Sequence, residues 1–578
     1  MENNLTPSGD LVLEQLGINP DNLCADFPTR EQRLQYRAVV QWLTDYQAKL
    51  DATNLEKVKG YLEAFYYLCV VEDWERAKAI IIVQIGTPTN EQLYLQLGTW
   101  GYYEEQVELC SKILGKLDRS TDSICLNTMG MAHDSLSNYH QAIKYYEHDL
   151  IIVREINDRR GEGTTLGNLG NAYHSINNYS QAIEFYQQAL QIAKEVSNRQ
   201  GEGNALGNLG NVYNSIGNYS KAVEYHSQSL TIAREISDIK GEARALGGLG
   251  SAYRHISNYS EAIKCHNQYL DVARKIGHRE AEGIALGNLG NVYNNQGKYP
   301  EAIKYHKQHL EIAQELKNRW GQGNALTNLG LAHDSRGDYS EAIKYYHQAL
   351  EIAQEIGDRE GEGNTIGSLG NVCYSLGQYV QAMEYHQQHL EISRQIGSRQ
   401  GVANAIGNIS NICYFMDDYS KAIEYAQKHL EIAQEMNDRR GEGTALLNLG
   451  NAYDALGEVN KAVEVYRHSL EIAREISDRQ GEGRALCNLG ITILQLEKYS
   501  EALEYLQAAL NVVIEIEARS TEALTLYNLV EVYEKLGYQN MAQESCEKAL
   551  KIATELALPD LEEYQELKEN YLTSKHKL

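Results

Sequence analysis

The chain is poor in phenylalanine, with 4 Phe against 41 Tyr. Tyrosine carries a polar tip on an apolar ring, so this skew suits a thin architecture in which buried rings keep an edge near water. A basic surplus is also missing: 53 Lys and Arg stand against 79 Asp and Glu, a formal charge of -26. Nucleic acid binding needs a cationic surface that releases counterions, so no nucleic acid partner is expected. An anionic membrane surface is disfavoured for the same reason. The charge keeps a long exposed surface soluble, and a taste for basic partners is the sharper alternative. The nine cysteines form no Cys-x-x-Cys pair and show no zinc-ligand spacing. Cys373 and Cys413 share a register with Tyr173, Tyr213 and Tyr253, which makes them small core residues of a reducing compartment. Met1 to Asp10 is polar and acidic, and no stretch approaches about 18 continuous apolar residues, so neither a secretory leader nor membrane insertion is expected and the reading is cytoplasmic. Gly-x-Gly phrases such as Gly201-Glu202-Gly203 have no strand before them and no Lys-Ser/Thr after, so no phosphate loop is implied. No nucleophile is paired with a base, and the expectation is a protein that is not an enzyme and holds no cofactor or metal.

What the chain does have is a period of 40. Asn168-Leu169-Gly170-Asn171 returns as Asn208-Leu209-Gly210-Asn211, and again near Asn288, Asn328, Asn408, Asn448 and Asn488. A constant period of this size signals a stacked solenoid, in which each unit hides its apolar face only against its neighbours. Eleven blocks share one register from 121–160 to 521–560. In block 161–200, Leu166, Leu169, Ala172 and Tyr173 recur at three- and four-residue spacing, as do Ile183, Tyr186, Leu190 and Ala193. Two helices of about 17 residues are therefore expected per block, each ~25 Å long. The turn between them carries glycine at Gly217, Gly297, Gly337, Gly377 and Gly457, where a left-handed backbone is expected. Ser197-Asn198 and Gly357-Asp358 end one helix and cap the next. Residues 1–120 read as an atypical helical cap with degenerate repeats. Helical patterning runs from Arg30 to Lys49, second helices start at Trp74 and Tyr103, and the only proline cluster is Pro20, Pro28 and Pro88. Residues 561–578 read as a polar closing helix.

Glycine inside a helix costs roughly 0.5–1 kcal/mol relative to alanine, yet Gly170, Gly210, Gly250, Gly290, Gly330, Gly370, Gly450 and Gly490 all sit inside the first helix. The expected partner is the small Ala182, Ala222, Ala262 or Ala302, letting two helices pack without a side chain between them. Ser410 takes this place in block 401–440.

Leu169-Gly170, Tyr173, Tyr179, Ala182, Tyr186 and Ala189 fall at the spacing of the tetratricopeptide repeat, and the pattern covers about 121–560. The long 40-residue form, with phrases such as His309-Leu310-Glu311-Ile312-Ala313-Gln314-Glu315, resembles the repeats of the LGN/Pins polarity adaptors and long repeats of bacterial proteins. The resemblance implies an all-α, right-handed α-solenoid whose first helices line the inner face. The G-protein-binding motifs of LGN-like adaptors do not follow the repeats before Leu578, so a bacterial scaffold or sensor is expected at least as readily as a polarity role.

Positions three apart share a helix side, so Asn168 and Asn171 point together. Stacking turns that pair into a ladder: Asn208, Asn211, Asn288, Asn291, Asn328, Asn371, Asn408, Asn411, Asn448, Asn451 and Asn488. Asn offers both donor and acceptor to a peptide group and is a poor helix former, which argues for peptide binding over inheritance with the unit. Members of the family grip extended peptide backbones this way. Block 241–280 thins its ladder to Gly248 and Ser251 and carries Arg244, Arg254 and His255. Arginines at the Arg244 position in LGN-like repeats engage acidic ligand side chains, so an acidic anchor of the partner is assigned to Arg244 and Arg254; a salt bridge to a nearby Glu is the rival. Tyr374, Tyr414 and Phe415 would form an aromatic step. His306 and His309, like His386 and His389, take positions of Tyr186 and Ala189 and read as packing residues. The function expected is a non-catalytic scaffold that binds an extended peptide segment in its groove; the alternative is a peptide-responsive regulator whose superhelix changes shape.

Overall fold

A computed structural model of the protein describes residues 5–49, 51–87, 89–516, 518–556 and 561–575. Pro88 and the ends of the polar termini lie outside the described residues. The described residues are helices and turns without a β-strand, and the architecture is an all-α solenoid. None of the helices is long and apolar enough to cross a membrane. The chain divides into two compact units, Met1–Ala205 and Leu206–Leu578.

The first unit begins with short helices, Gly9–Leu16, Arg30–Thr44, Asn54–Val70, Trp74–Ile81, Leu93–Thr99 and Tyr103–Ile113. Thr29 and Thr53 start two of them with full capping boxes, to Gln32 and Glu56. Phe27 stacks on Tyr36 at 3.5 Å. Arg76 reaches back to the Leu16 carbonyl at 2.7 Å and to Asp73 at 2.7 Å, and the Tyr36 hydroxyl donates to Asp73. Regular repeats follow, Arg119–Ser135 with Tyr139–Glu155 and Arg159–Ser175 with Tyr179–Glu195.

In the second unit the same plan runs from Tyr219–Glu235 to Gln539–Leu556, closed by Leu561–Lys575. Both helices of a repeat have 17 residues in nearly every case, the length that the hydrophobic spacing implies. Among the described residues these helices end on left-handed residues, such as Gly217 at φ 76° and Gly457 at φ 75° within repeats, and Ser237 at φ 55° or Gly357 at φ 70° between them. At most junctions between repeats the next residue caps the following helix with its side chain. Asp238 accepts from Gly241 N at 3.0 Å and Asp358 from Gly361 N at 2.8 Å.

The glycine of the first helix has a different partner from the alanine expected. At Gly450 an added Cβ would lie 2.3 Å from the Tyr466 ring; at Gly290 it would lie 2.5 Å from the His306 ring. The ring sixteen residues on occupies the side-chain space that glycine leaves. Tyr146, Tyr186, Tyr346, His226, His266 and His386 are seated in the same way on Gly130, Gly170, Gly330, Gly210, Gly250 and Gly370. The alanines at 182, 222, 262 and 302 are fully buried, but the rings set the helix spacing. Where the glycine is missing, the ring is missing too: Ser410 faces Ala426, its hydroxyl donating to the Ala422 carbonyl at 2.7 Å, and Val530 is paired in register with Cys546.

An ion-pair rail follows the junctions between repeats. The arginine that opens a first helix bonds the glutamate three residues on and the one thirty-six on, as Arg279 does with Glu282 at 2.6 Å and Glu315 at 2.5 Å. Arg439 and Arg479 repeat the pattern with Glu442 and Glu475, and with Glu482 and Glu515.

The second unit also meets itself. Gly217 packs against Arg440, where an added Cβ would lie 2.8 Å from the Arg440 Cβ. The Ser220 hydroxyl donates to Ser477 Oγ at 2.8 Å, across 257 residues. Arg440 donates to the Tyr219 hydroxyl at 3.1 Å. The solenoid has thus come round far enough for the turn of repeat 201–240 to touch the junction that opens repeat 441–480.

Candidate functional site

The ladder asparagines all lie on first helices, and all but one are open to solvent. Asn448 is buried, 5% exposed, with its Nδ2 unpartnered among the described residues. In the first unit Asn171 accepts from the Tyr186 hydroxyl at 2.7 Å, and Asn168 lies 3.4 Å from Asn127 Oδ1. Asn451 likewise accepts from Tyr466 at 2.7 Å and from Asn488 Nδ2 at 3.0 Å, so amides of adjacent repeats are close enough to bond one another. Asn208 is engaged within the protein. Between these ends the side chains of Asn211, Asn288, Asn291, Asn328, Asn371, Asn408 and Asn411 make no hydrogen bond among the described residues, and each is at least partly exposed.

The aromatic residues expected to form a step are brought together. Phe415 lies 5.3 Å from Tyr374 and 5.2 Å from Tyr414, both edge to face, and stacks on Tyr379 at 5.9 Å. Phe415 is 48% exposed. Burial beside Tyr379 and Tyr414 pushes the Tyr374 hydroxyl up to about 12, so the step stays uncharged.

Arg244 is exposed and engaged within the protein. Arg254 makes no ion pair among the described residues; its Nη2 lies 2.9 Å from His255 Nε2. The sequence reading missed the other side of this place. Arg440 Nη1 lies 2.9 Å from His255 Nδ1, and its Nε lies 3.6 Å from Asp478. Tyr219 stacks on His255 at 4.5 Å, nearly parallel. Burial first, then the two arginines, pushes the His255 imidazole down to about 3. A cavity of about 230 Å³ opens beside Arg440 and is lined by Arg484, Gln480, Thr444 and Asp478 among others. Arg440 offers no signal in the repeat, since Arg160 and Lys240 also place a cation there.

His306 and His386 sit against glycine, as packing residues, and no group of three or more His, Cys, Asp or Glu side chains could hold a metal ion among the described residues.

Among curated proteins none matches the sequence. Of solved structures, a Rap protein complexed with competence and sporulation factor is 16% identical, covering 62% of this chain and 99% of that one with a TM-score of 0.43. BtubC from P. vanneervenii is 21% identical, over 38% of this chain and 90% of that one, with a TM-score of 0.31. The tetratricopeptide repeat model matches residues 122–195, 201–275, 281–355, 325–395, 361–435, 401–475, 441–515 and 481–555. With its 40-residue helix pairs in tandem over that span, the chain belongs to the tetratricopeptide repeat family.

Proposed function

We propose that the second unit is a non-catalytic scaffold that holds an extended peptide segment of a partner along its first helices. The observation that carries this reading is the run of uncommitted amides from Asn211 to Asn411. A row of donor-acceptor groups at one repeat spacing fits a peptide backbone, which presents its own donors and acceptors at regular intervals. Asn168 and Asn171 in the first unit, and Asn208, Asn451 and Asn488 in the second, hold the same repeat register but are more committed to the protein, and Asn448 is buried. Tyr374, Tyr414 and Phe415 offer a surface for an apolar ligand residue, and Arg244 and Arg254 offer cations for an acidic one.

The test is capture from a displayed library of unstructured peptides by wild type and by an Asn288→Ala, Asn328→Ala, Asn371→Ala variant. At about 1 kcal/mol for each lost hydrogen bond, the triple variant should bind the selected peptides about 100-fold more weakly. Equal binding would show that the amide row is not the contact surface.

One observation favours a second reading, a regulator that changes shape on binding peptide. The contact between Ser220 and Ser477 closes the unit on itself, and any change of pitch must strain or open it. Cysteines at both positions, with the exposed Cys24 changed to serine, should form a disulfide on mild oxidation, because the two hydroxyls are already 2.8 Å apart. A regulator predicts that selected peptides change the rate of that cross-link severalfold; a static scaffold leaves the rate unaltered.

A further inference from the structure

Three arginines of the second unit, Arg254, Arg440 and Arg484, differ from those on the rail. Arg279, Arg319, Arg439, Arg479 and their sisters are all tied to glutamate. Arg254 and Arg484 have no acidic side chain within ion-pair distance, and Arg484 makes no hydrogen bond among the described residues. Arg440 shares Asp478 only at 3.6 Å, and Asp478 Oδ1 is already accepting from Gly481 N at 3.0 Å. In a chain carrying -26, two arginines without a carboxylate among the described residues, beside a third that shares one at 3.6 Å, call for an explanation.

His255 sharpens it. Its two ring nitrogens face Arg254 and Arg440, each at 2.9 Å. A guanidinium only donates, and a neutral imidazole accepts at one nitrogen while the other carries a proton. One of the two arginines therefore meets an N–H and has no acceptor on the ring. An imidazolium would accept from neither. Beside this mismatch lies the cavity of about 230 Å³, lined by Arg440, Arg484, Gln480 and Thr444. Arg484 is exposed, and partial desolvation by the surrounding walls draws its guanidinium below its ordinary range, with Asp478 opposing and Arg440 adding to the effect.

We propose that the seam where repeat 441–480 meets repeats 201–240 and 241–280 is a binding site for a compact oxyanion, held by Arg440 and Arg484 in the cavity they line, with Arg254 on the other side of the His255 ring adding positive charge to the seam. An oxyanion supplies the acceptor that the imidazole cannot, with the planar fork of arginine suited to its geometry. Because Arg440 already touches Tyr219 and His255 across the seam, the ion ties two distant parts of the array together. Asp438 and Asp478 partly balance the site, so it takes one anionic group rather than a strongly charged chain. The oxyanion is either a free ion or an acidic group of a bound peptide. The site stands independently of what the amide row holds.

The experiment is calorimetric titration of the full chain at fixed ionic strength, with inorganic phosphate in one arm and tetraglutamate in the other. The expected result is one saturable site for at least one probe, weakened tenfold or more by Arg484→Gln and severalfold by Arg254→Gln. Arg234→Gln, at a residue paired with Glu242, should leave it unaltered. Arg484 makes no hydrogen bond or ion pair among the described residues, and circular dichroism checks that its variant keeps the fold. Tighter phosphate binding identifies a free anion as the occupant; tighter tetraglutamate binding identifies a peptide acid. No saturable site with either probe, or binding that survives both substitutions, overturns the proposal. Loss of peptide capture in the asparagine variant and loss of anion binding here are separate outcomes, so each reading can fall alone.

Discussion

Gly450→Ser should destabilise repeat 441–480 by about 1–3 kcal/mol, the usual cost of forcing atoms into a filled core. The Tyr466 ring lies 2.3 Å from where a Cβ would stand and is 2% exposed. It cannot swing away without losing the bond from its hydroxyl to Asn451. Tyr466→Ala alone should cost about 3–5 kcal/mol through the void it leaves. The double variant recreates the pairing that block 401–440 uses natively, Ser410 with Ala426. Its cost should fall well short of the summed single costs, with a favourable coupling of about 1–3 kcal/mol. Repeat arrays do not melt as one unit, so the readout is amide hydrogen exchange across residues 439–475, with thermal melting as a second measure. Additive costs would show that ring and glycine do not share one space.

This pairing shows what the sequence made legible and what it hid. Helix lengths, the left-handed turns and the Asp or Asn caps follow from local chemistry, and the 40-residue period repeats each signal many times. Tyr186 and Gly170 are each conspicuous in the sequence, yet the alanine one turn away was the more obvious partner for a glycine. The signal that would have found the true partner is internal covariation. Position i+16 is aromatic or imidazole wherever the site holds glycine, except at Leu506, and becomes Ala426 or Cys546 where Ser410 or Val530 fills it. The rail was legible on the same terms, as an arginine with glutamate three and thirty-six residues on. The seam was not. Contact between Tyr219 and Arg440 depends on small rotations per repeat summed over more than five repeats, and no local residue pattern encodes that sum. The asparagine row was visible as a register. Which of its amides stay uncommitted was not, because that depends on neighbours such as Tyr186, Tyr466 and Asn488.

Acid should destabilise the array from about pH 6.5 downward, through its buried histidines. Burial pushes His226, His266, His386 and His429 down to about 4 and His306 to about 3. An unfolded histidine titrates near 6.5. The folded state keeps these rings neutral while the unfolded state takes up protons, so their contribution is intact above about pH 6.5. It is lost as pH falls from about 6.5 towards about 4. At pH 5 the loss is about 2 kcal/mol for each such histidine. Burial also raises Asp134, Asp149, Asp334 and Asp438, Asp334 to about 6, and these act in the opposite sense, favouring the folded state as pH falls. Tyrosine occupies the same seat in sister repeats, at Tyr146, Tyr186, Tyr346 and Tyr466, and does not protonate in this range. A variant carrying His226→Tyr, His266→Tyr, His306→Tyr and His386→Tyr should therefore keep its ring-on-glycine packing. Between pH 7 and pH 5 the wild-type melting temperature should drop by about 10 °C or more, and that of the variant by only a few degrees. Equal drops would assign the acid sensitivity to the carboxylates of the rail instead.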